Sequence, residues 1–224
     1  MAKEVVRAYN YSDGALKQKS DLLVLNLTRD AAAFAARGET PATITGLQEM
    51  IDDFDAFPTD EELEGVINSK TIVKDNLAKT LRMQMRIIRG IADATYNGEG
   101  LYNCFGFEGM DKMDDAHLHR LAQRVVRVST TLFDALSAKG LNNDMIIAVG
   151  KTDSSFDDAM DSIREAEENR DIATQQRRML GNTLYAEYSR LMNIGKSIFQ
   201  DTDEARYNDY VMNDEPPVKP AKAA

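Results

Sequence analysis

Three of the chain's five prolines stand at 216, 217 and 220, within its last nine residues. Only Pro41 and Pro58 interrupt the body, so nearly all of it lacks the residue that breaks a helix most strongly. Amphipathic stretches fill that body. Leu16, Leu22, Leu23, Leu25, Leu27, Ala31 and Phe34 recur at helical spacing between Asp13 and Arg37, where Gly38 supplies a stop. Thr40-Pro41 starts a second helix, with Ile44, Leu47, Ile51 and Phe54 as its buried stripe, and Pro58 ends it. Thr59 to Glu62 has capping-box spacing and opens a long third helix over about 60–95. Its apolar positions are Leu63, Val66, Ile67, Val73, Leu77, Leu81, Ile88 and Ile91.

The same order returns about a hundred residues later. With Gly38 set on Gly140, an offset of 102, Ile44 falls on Ile146, Leu47 on Val149 and Phe54 on Phe156. One inserted residue carries the match on: Leu77 meets Leu180, Thr80-Leu81 meets Thr183-Leu184, Ile88 meets Leu191 and Ile91 meets Ile194. Two more bring Tyr-Asn-Cys-Phe at 102–105 onto Tyr-Asn-Asp-Tyr at 207–210. Self-similarity at a fixed period is read as a duplicated structural unit. The second copy predicts helices over about 114–139, 143–160 and 161–200; no proline divides the last two, so that corner is either a turn or a kink. The expected fold is an all-α elongated bundle of two pseudo-repeated three-helix units, about six helices. The units are expected at 1–110 and 111–212, joined by the packed Gly- and aromatic-rich loop Asn97 to Asp111, with an extended Pro/Lys/Ala tail over 213–224.

In these features the chain resembles a group of uncharacterised all-helical repeat proteins common in Bacteroidota. Ala35, Gly38, Thr43, Leu47 and Tyr102 to Phe105 carry the likeness, which covers about residues 31–210. The second copy departs from the pattern, with Asn142-Asn143 where Thr would stand. The resemblance implies a fold and no activity.

Charge narrows the function. A net charge of -10 and a pI near 4.8 argue against wrapping nucleic acid or an anionic membrane surface. No apolar run approaches the ~18–20 residues of a membrane span, and the N-terminus lacks a signal-peptide core. The single cysteine, Cys104, has no internal disulfide partner. The expectation is a cytoplasmic protein, or one assembled in a cytoplasm as part of a particle.

Each candidate for chemistry has a plainer reading. The acidic corners 52–64 and 153–168 would suit a hard cation, but neither carries an EF-hand loop, and acids also favour helix N-termini without a metal. A ferritin-like di-metal enzyme needs Glu-x-x-His on two helices. The only histidines, His117 and His119, lie two apart on one helix, and only Asp114 precedes His117 by three. Cys104 has no basic neighbour in sequence to activate it. Arg82, Arg86 and Arg89 form a row that suits either phosphate or neighbouring acids. No catalytic, metal or cofactor residue is assigned, and an enzyme is not expected.

The aromatic clusters Tyr102, Phe105, Phe107 and Tyr207, Tyr210 are candidate partner-binding anchors or plugs for the ends of their own bundles. Pro216, Pro217 and Pro220 in the tail are further partner-binding candidates. The expected function is a non-enzymatic structural or assembly subunit, forming homo-oligomers or binding protein partners through long helix faces and the tail. A ligand-binding or sensory bundle is the first alternative and the di-metal enzyme the second.

Overall fold

A computed structural model describes residues 5–97 and 100–212. These residues are all-α, without a strand among them. The helices are α1 (Asp13–Arg29), α2 (Ala31–Ala35), α3 (Pro41–Asp55), α4 (Asp60–Tyr96), α5 (Asp115–Thr131), α6 (Phe133–Ser137), α7 (Asn143–Phe199) and α8 (Glu204–Asp209). Two short 3-10 turns, Gly100–Cys104 and Met110–Lys112, lie between α4 and α5.

The first helix of each sequence copy is broken near its end, at Asp30 and at Leu132, rather than continuous to the glycine stop. At the 102-residue offset the backbone coincides closely. Asp30 has φ -102° and ψ 15°, and Leu132 has φ -103° and ψ 17°. Gly38 and Gly140 both take the left-handed φ that glycine tolerates, 87° and 101°. Behind each, the residue after the glycine donates its amide to the same carbonyl, Glu39 to Phe34 and Leu141 to Leu136, both at 3.2 Å.

The two copies part at the next corner. Pro58 separates α3 from α4. The second copy has no such break: α7 runs unbroken for 57 residues, where separate helices over 143–160 and 161–200 were the expectation. Neither proline nor glycine occurs between Gly150 and Gly181, so nothing there forfeits an intrahelical bond.

The compact units divide the chain differently from the expected 1–110 and 111–212. A central unit holds Glu61–Arg170, and a split unit holds the described residues up to Asp60 together with those from Asp171 onward. The central core gathers Leu81, Met85, Ile88 and Ala92 of α4, Leu118 and Val125 of α5, Leu136, Val149 and Phe156. The split core gathers Leu16, Leu23 and Leu27 of α1, Phe34, Leu47, Ile51 and Phe54, with Leu184, Tyr188 and Leu191 from the far part of α7. The short helices of one sequence copy thus pack on the long helix of the other. Between Phe156 and Gly181 no residue of α7 is fully buried.

Candidate functional site

Three features of the split unit and its counterpart bear on function: the aromatic ends, an N-terminal arm laid along α7, and the outer face of α4. The aromatic ends come first because the sequence singled them out. Phe105 is fully buried and stacks on Phe107, with ring centroids 5.1 Å apart. Tyr210 is equally buried and stacks on Phe199 at 5.8 Å. Both belong to the cores of their own units, so Phe105, Phe107 and Tyr210 are internal plugs and not exposed partner anchors. Tyr102 and Tyr207 are half-buried against the same cores. The matched motifs share one bond, although the first ends a 3-10 turn and the second ends α8: Phe105 donates its amide to the Tyr102 carbonyl at 3.1 Å, and Tyr210 to that of Tyr207 at 3.0 Å. Pro216, Pro217 and Pro220 lie outside the described residues.

The plug at Tyr210 is tied by a charge cluster that sequence reading missed. Its hydroxyl donates to the buried Asp30 carboxylate at 2.9 Å. Arg29 and Arg206 also reach that carboxylate, at 2.7 and 3.1 Å. Burial alone would raise the Asp30 carboxyl, but the Arg29 and Tyr210 hydrogen bonds and the two guanidiniums outweigh it and hold it below the usual range. Burial, and then Asp30, push the Tyr210 phenol above its ordinary value. Gly195 makes room for the ring: a Cβ there would overlap Tyr210.

The arm is the second missed feature. Residues 5–8 lie extended along α7 and are held through their backbone. Gln175 Oε1 accepts the Val5 amide at 2.9 Å, Asn182 Oδ1 accepts the Ala8 amide at 2.7 Å, and Asn182 Nδ2 donates to the Val6 carbonyl at 2.8 Å. Tyr9 follows as a buried anchor whose hydroxyl donates to Asp13 at 2.8 Å, in space that Gly181 leaves open. Arg177 ties Asp13 at 2.8 Å and the Pro58 carbonyl at 3.1 Å. Beside the arm lies an open cleft of about 480 Å³ with Arg7, Asp13, Asp60 and Arg177 on its walls. A tyrosine pair close to the N-terminus was the only sequence signal for this anchor.

The remaining candidates make local contacts. Arg82 donates to the Met113 carbonyl at 2.8 Å and Arg86 pairs with Asp111 at 2.6 Å, so these two clasp the turn before α5. His117 sits on the Asp114 cap at 2.8 Å. His119 meets the buried Asp153 at 2.9 Å, and burial is the main cause that pushes the Asp153 carboxyl up. Among the described residues no three His, Cys, Asp or Glu side chains gather as a metal set. Cys104 is exposed. An apolar pocket among Leu27, Phe34, Ile44 and Leu191 measures about 240 Å³, below the ~300–1,000 Å³ of small-molecule sites.

The outer face of α4 is the third feature. The expected buried stripe included Val66 and Val73, but both are about half exposed, as are Met83 and Ile87. Val66, Val73 and Ile87 stand at multiples of seven on one helix line, with Thr80 between them. No described helix is long and apolar enough to cross a membrane. No family model matches the chain, and no curated protein or solved structure matches it either.

Proposed function

We propose that this chain is a non-enzymatic assembly subunit that associates with copies of itself through the outer face of α4. The observation that carries this reading is the stripe of Val66, Val73, Met83 and Ile87, which the central unit leaves in water while burying Leu81, Met85 and Ile88 one helix face away. Val66, Val73 and Ile87 at seven-residue multiples on a 37-residue helix have the spacing of helix-on-helix packing. The same reading takes the chain as an internally duplicated unit, supported by the matched dihedrals at Asp30 and Leu132 and at Gly38 and Gly140.

Val73→Lys combined with Ile87→Lys tests the stripe. Both side chains lie outside the core, so helix content and melting temperature should hold within a few degrees. Light scattering should show the native oligomer falling to a smaller species. An unchanged mass for the doubly substituted chain contradicts the assignment of this face.

A further inference from the structure

We propose that the apolar pocket of the split unit is a binding site for a small, neutral, ring-sized apolar molecule, at a place that the central unit covers with its own side chains. The inference goes beyond the assembly reading and does not depend on the α4 face.

The pocket, about 240 Å³, lies among the end of α1, α2, the start of α3 and Leu191 of α7. Leu27, Phe34 and Leu191 are buried and form its floor, and Ile44 is half-buried beside them.

The duplication indicates what fits there. The two copies keep the same backbone around this place. α3 and α7 start at matched residues, Pro41 and Asn143, and the residue after each glycine stop donates to a matched carbonyl, that of Phe34 or Leu136. The side chains differ. Ala31, Glu39 and Thr43 line the pocket where the central copy has Phe133, Leu141 and Met145. Phe133 and Met145 pack partly buried against the central core, and Leu141 is buried in it. Ile146 is buried in that copy, whereas its counterpart Ile44 is only half-buried. Two positions change the other way: Leu27 and Phe34 are larger than Ser129 and Leu136. Those two already belong to the split core, so their bulk does not replace the missing cover. The split unit thus lacks a phenyl ring and a thioether beside its floor.

The walls set the polarity of the ligand. Glu39 and Thr43, the half-buried polar residues of the lining, are engaged with other groups. Thr43 donates its hydroxyl to Glu39 at 3.0 Å and accepts the Thr40 amide at 3.3 Å, while both Glu39 carboxylate oxygens accept from Arg190. A charged ligand would lose water there and gain no counter-ion from these walls. Neutral apolar surface suffers no such loss. Volume sets the size. A dry cavity of about 150 Å³ holds benzene, and drug-sized ligands need about 300 Å³ or more. One ring with a short substituent falls between.

Toluene, ethylbenzene and indole, titrated separately into the full chain and followed by heteronuclear NMR, test this, with benzoate as the charged control. At least one neutral probe should bind with a Kd of about 1 mM or tighter, the scale of one buried ring. It should shift the methyl resonances of Ile44 and Leu191, and benzoate should bind at least about tenfold more weakly. Ala31→Phe and Thr43→Met each install the central copy's residue outside the buried floor, so the fold should hold. Each should weaken probe binding by about tenfold or more, and either one decides if the other fails to fold. Absence of binding by all three neutral probes overturns the proposal, as does binding that the folded variants leave unchanged or that benzoate matches. If no probe binds and Ala31→Phe lowers the native mass, the pocket takes a side chain of a second copy, which also overturns it. Val73→Lys with Ile87→Lys should leave probe binding intact, so this site and the α4 face can fail separately.

Discussion

Tyr210 closes the split unit with its hydroxyl on Asp30, whereas Phe105 closes the central unit with no polar group at all. At the 102-residue offset from Asp30 stands Leu132, packed against the central core. The long helices differ as well: Gly195 lies against Tyr210 in one unit, and the buried Ala92, one Cβ larger, stands at the matching sequence position in the other. One unit thus uses a larger, polar plug with a charged anchor and a glycine opposite it, and the other a smaller apolar plug in a core that also holds Leu132 and Ala92. A buried tyrosine hydroxyl needs a partner, and a buried carboxylate needs several. Asp30 has Arg29, Arg206 and Tyr210, so losing the Tyr210 hydroxyl leaves Asp30 two partners, whereas losing the Asp30 carboxylate leaves the buried hydroxyl without the partner it has here.

The largest effect should fall where the units agree. Phe54 and Phe156 are matched and both buried. Phe→Ala at either should cost about 3–5 kcal/mol in chemical denaturation through lost contacts and a residual cavity. A loss below about 1 kcal/mol at one of them would break the equivalence of the two second helices.

A smaller and sharper test converts one plug into the other. Tyr210→Phe removes one hydrogen bond from Asp30 and should cost about 1–2 kcal/mol. Asp30→Leu strands the buried Tyr210 hydroxyl and should cost about 1–3 kcal/mol. The double substitution copies the central unit's pair and should cost less than the sum of the two, by about 1 kcal/mol or more. Strict additivity would mean that the hydroxyl and the carboxylate are not coupled. The pH dependence has a definite sign. The Asp30 carboxyl is held below its ordinary value, so its contribution is present above the unfolded pKa of about 3.9 and is lost as pH falls through the lower folded value. The stability gap between the native chain and Tyr210→Phe should therefore be full at neutral pH and narrow below about pH 4.

What could be read from sequence follows the range of the interactions. The glycine stops at 38 and 140 and the Pro58 corner are written in single residues, and the structure has them where they were expected. The Asp30 anchor was illegible because its partner lies 180 residues away, and an aspartate inside an apolar run gives no hint of which arginines will surround it. Val66 and Val73 were placed in the core because a long helix with a wide apolar face does not reveal which edge meets its neighbours. The exchange of long helices between sequence copies was hidden for a related reason. Packing of α3 on the far part of α7 or on α4 would show the same periodicity. The arm left least trace, since Gln175 and Asn182 recognise backbone that every sequence possesses.

The central claim is that the chain works as an assembled subunit. The native mass of the protein, taken from its own source and measured by light scattering over a range of concentrations, tests it most directly. The account predicts a defined multiple of the 25.0 kDa chain that falls on dilution. A mass of one chain at every concentration would contradict it.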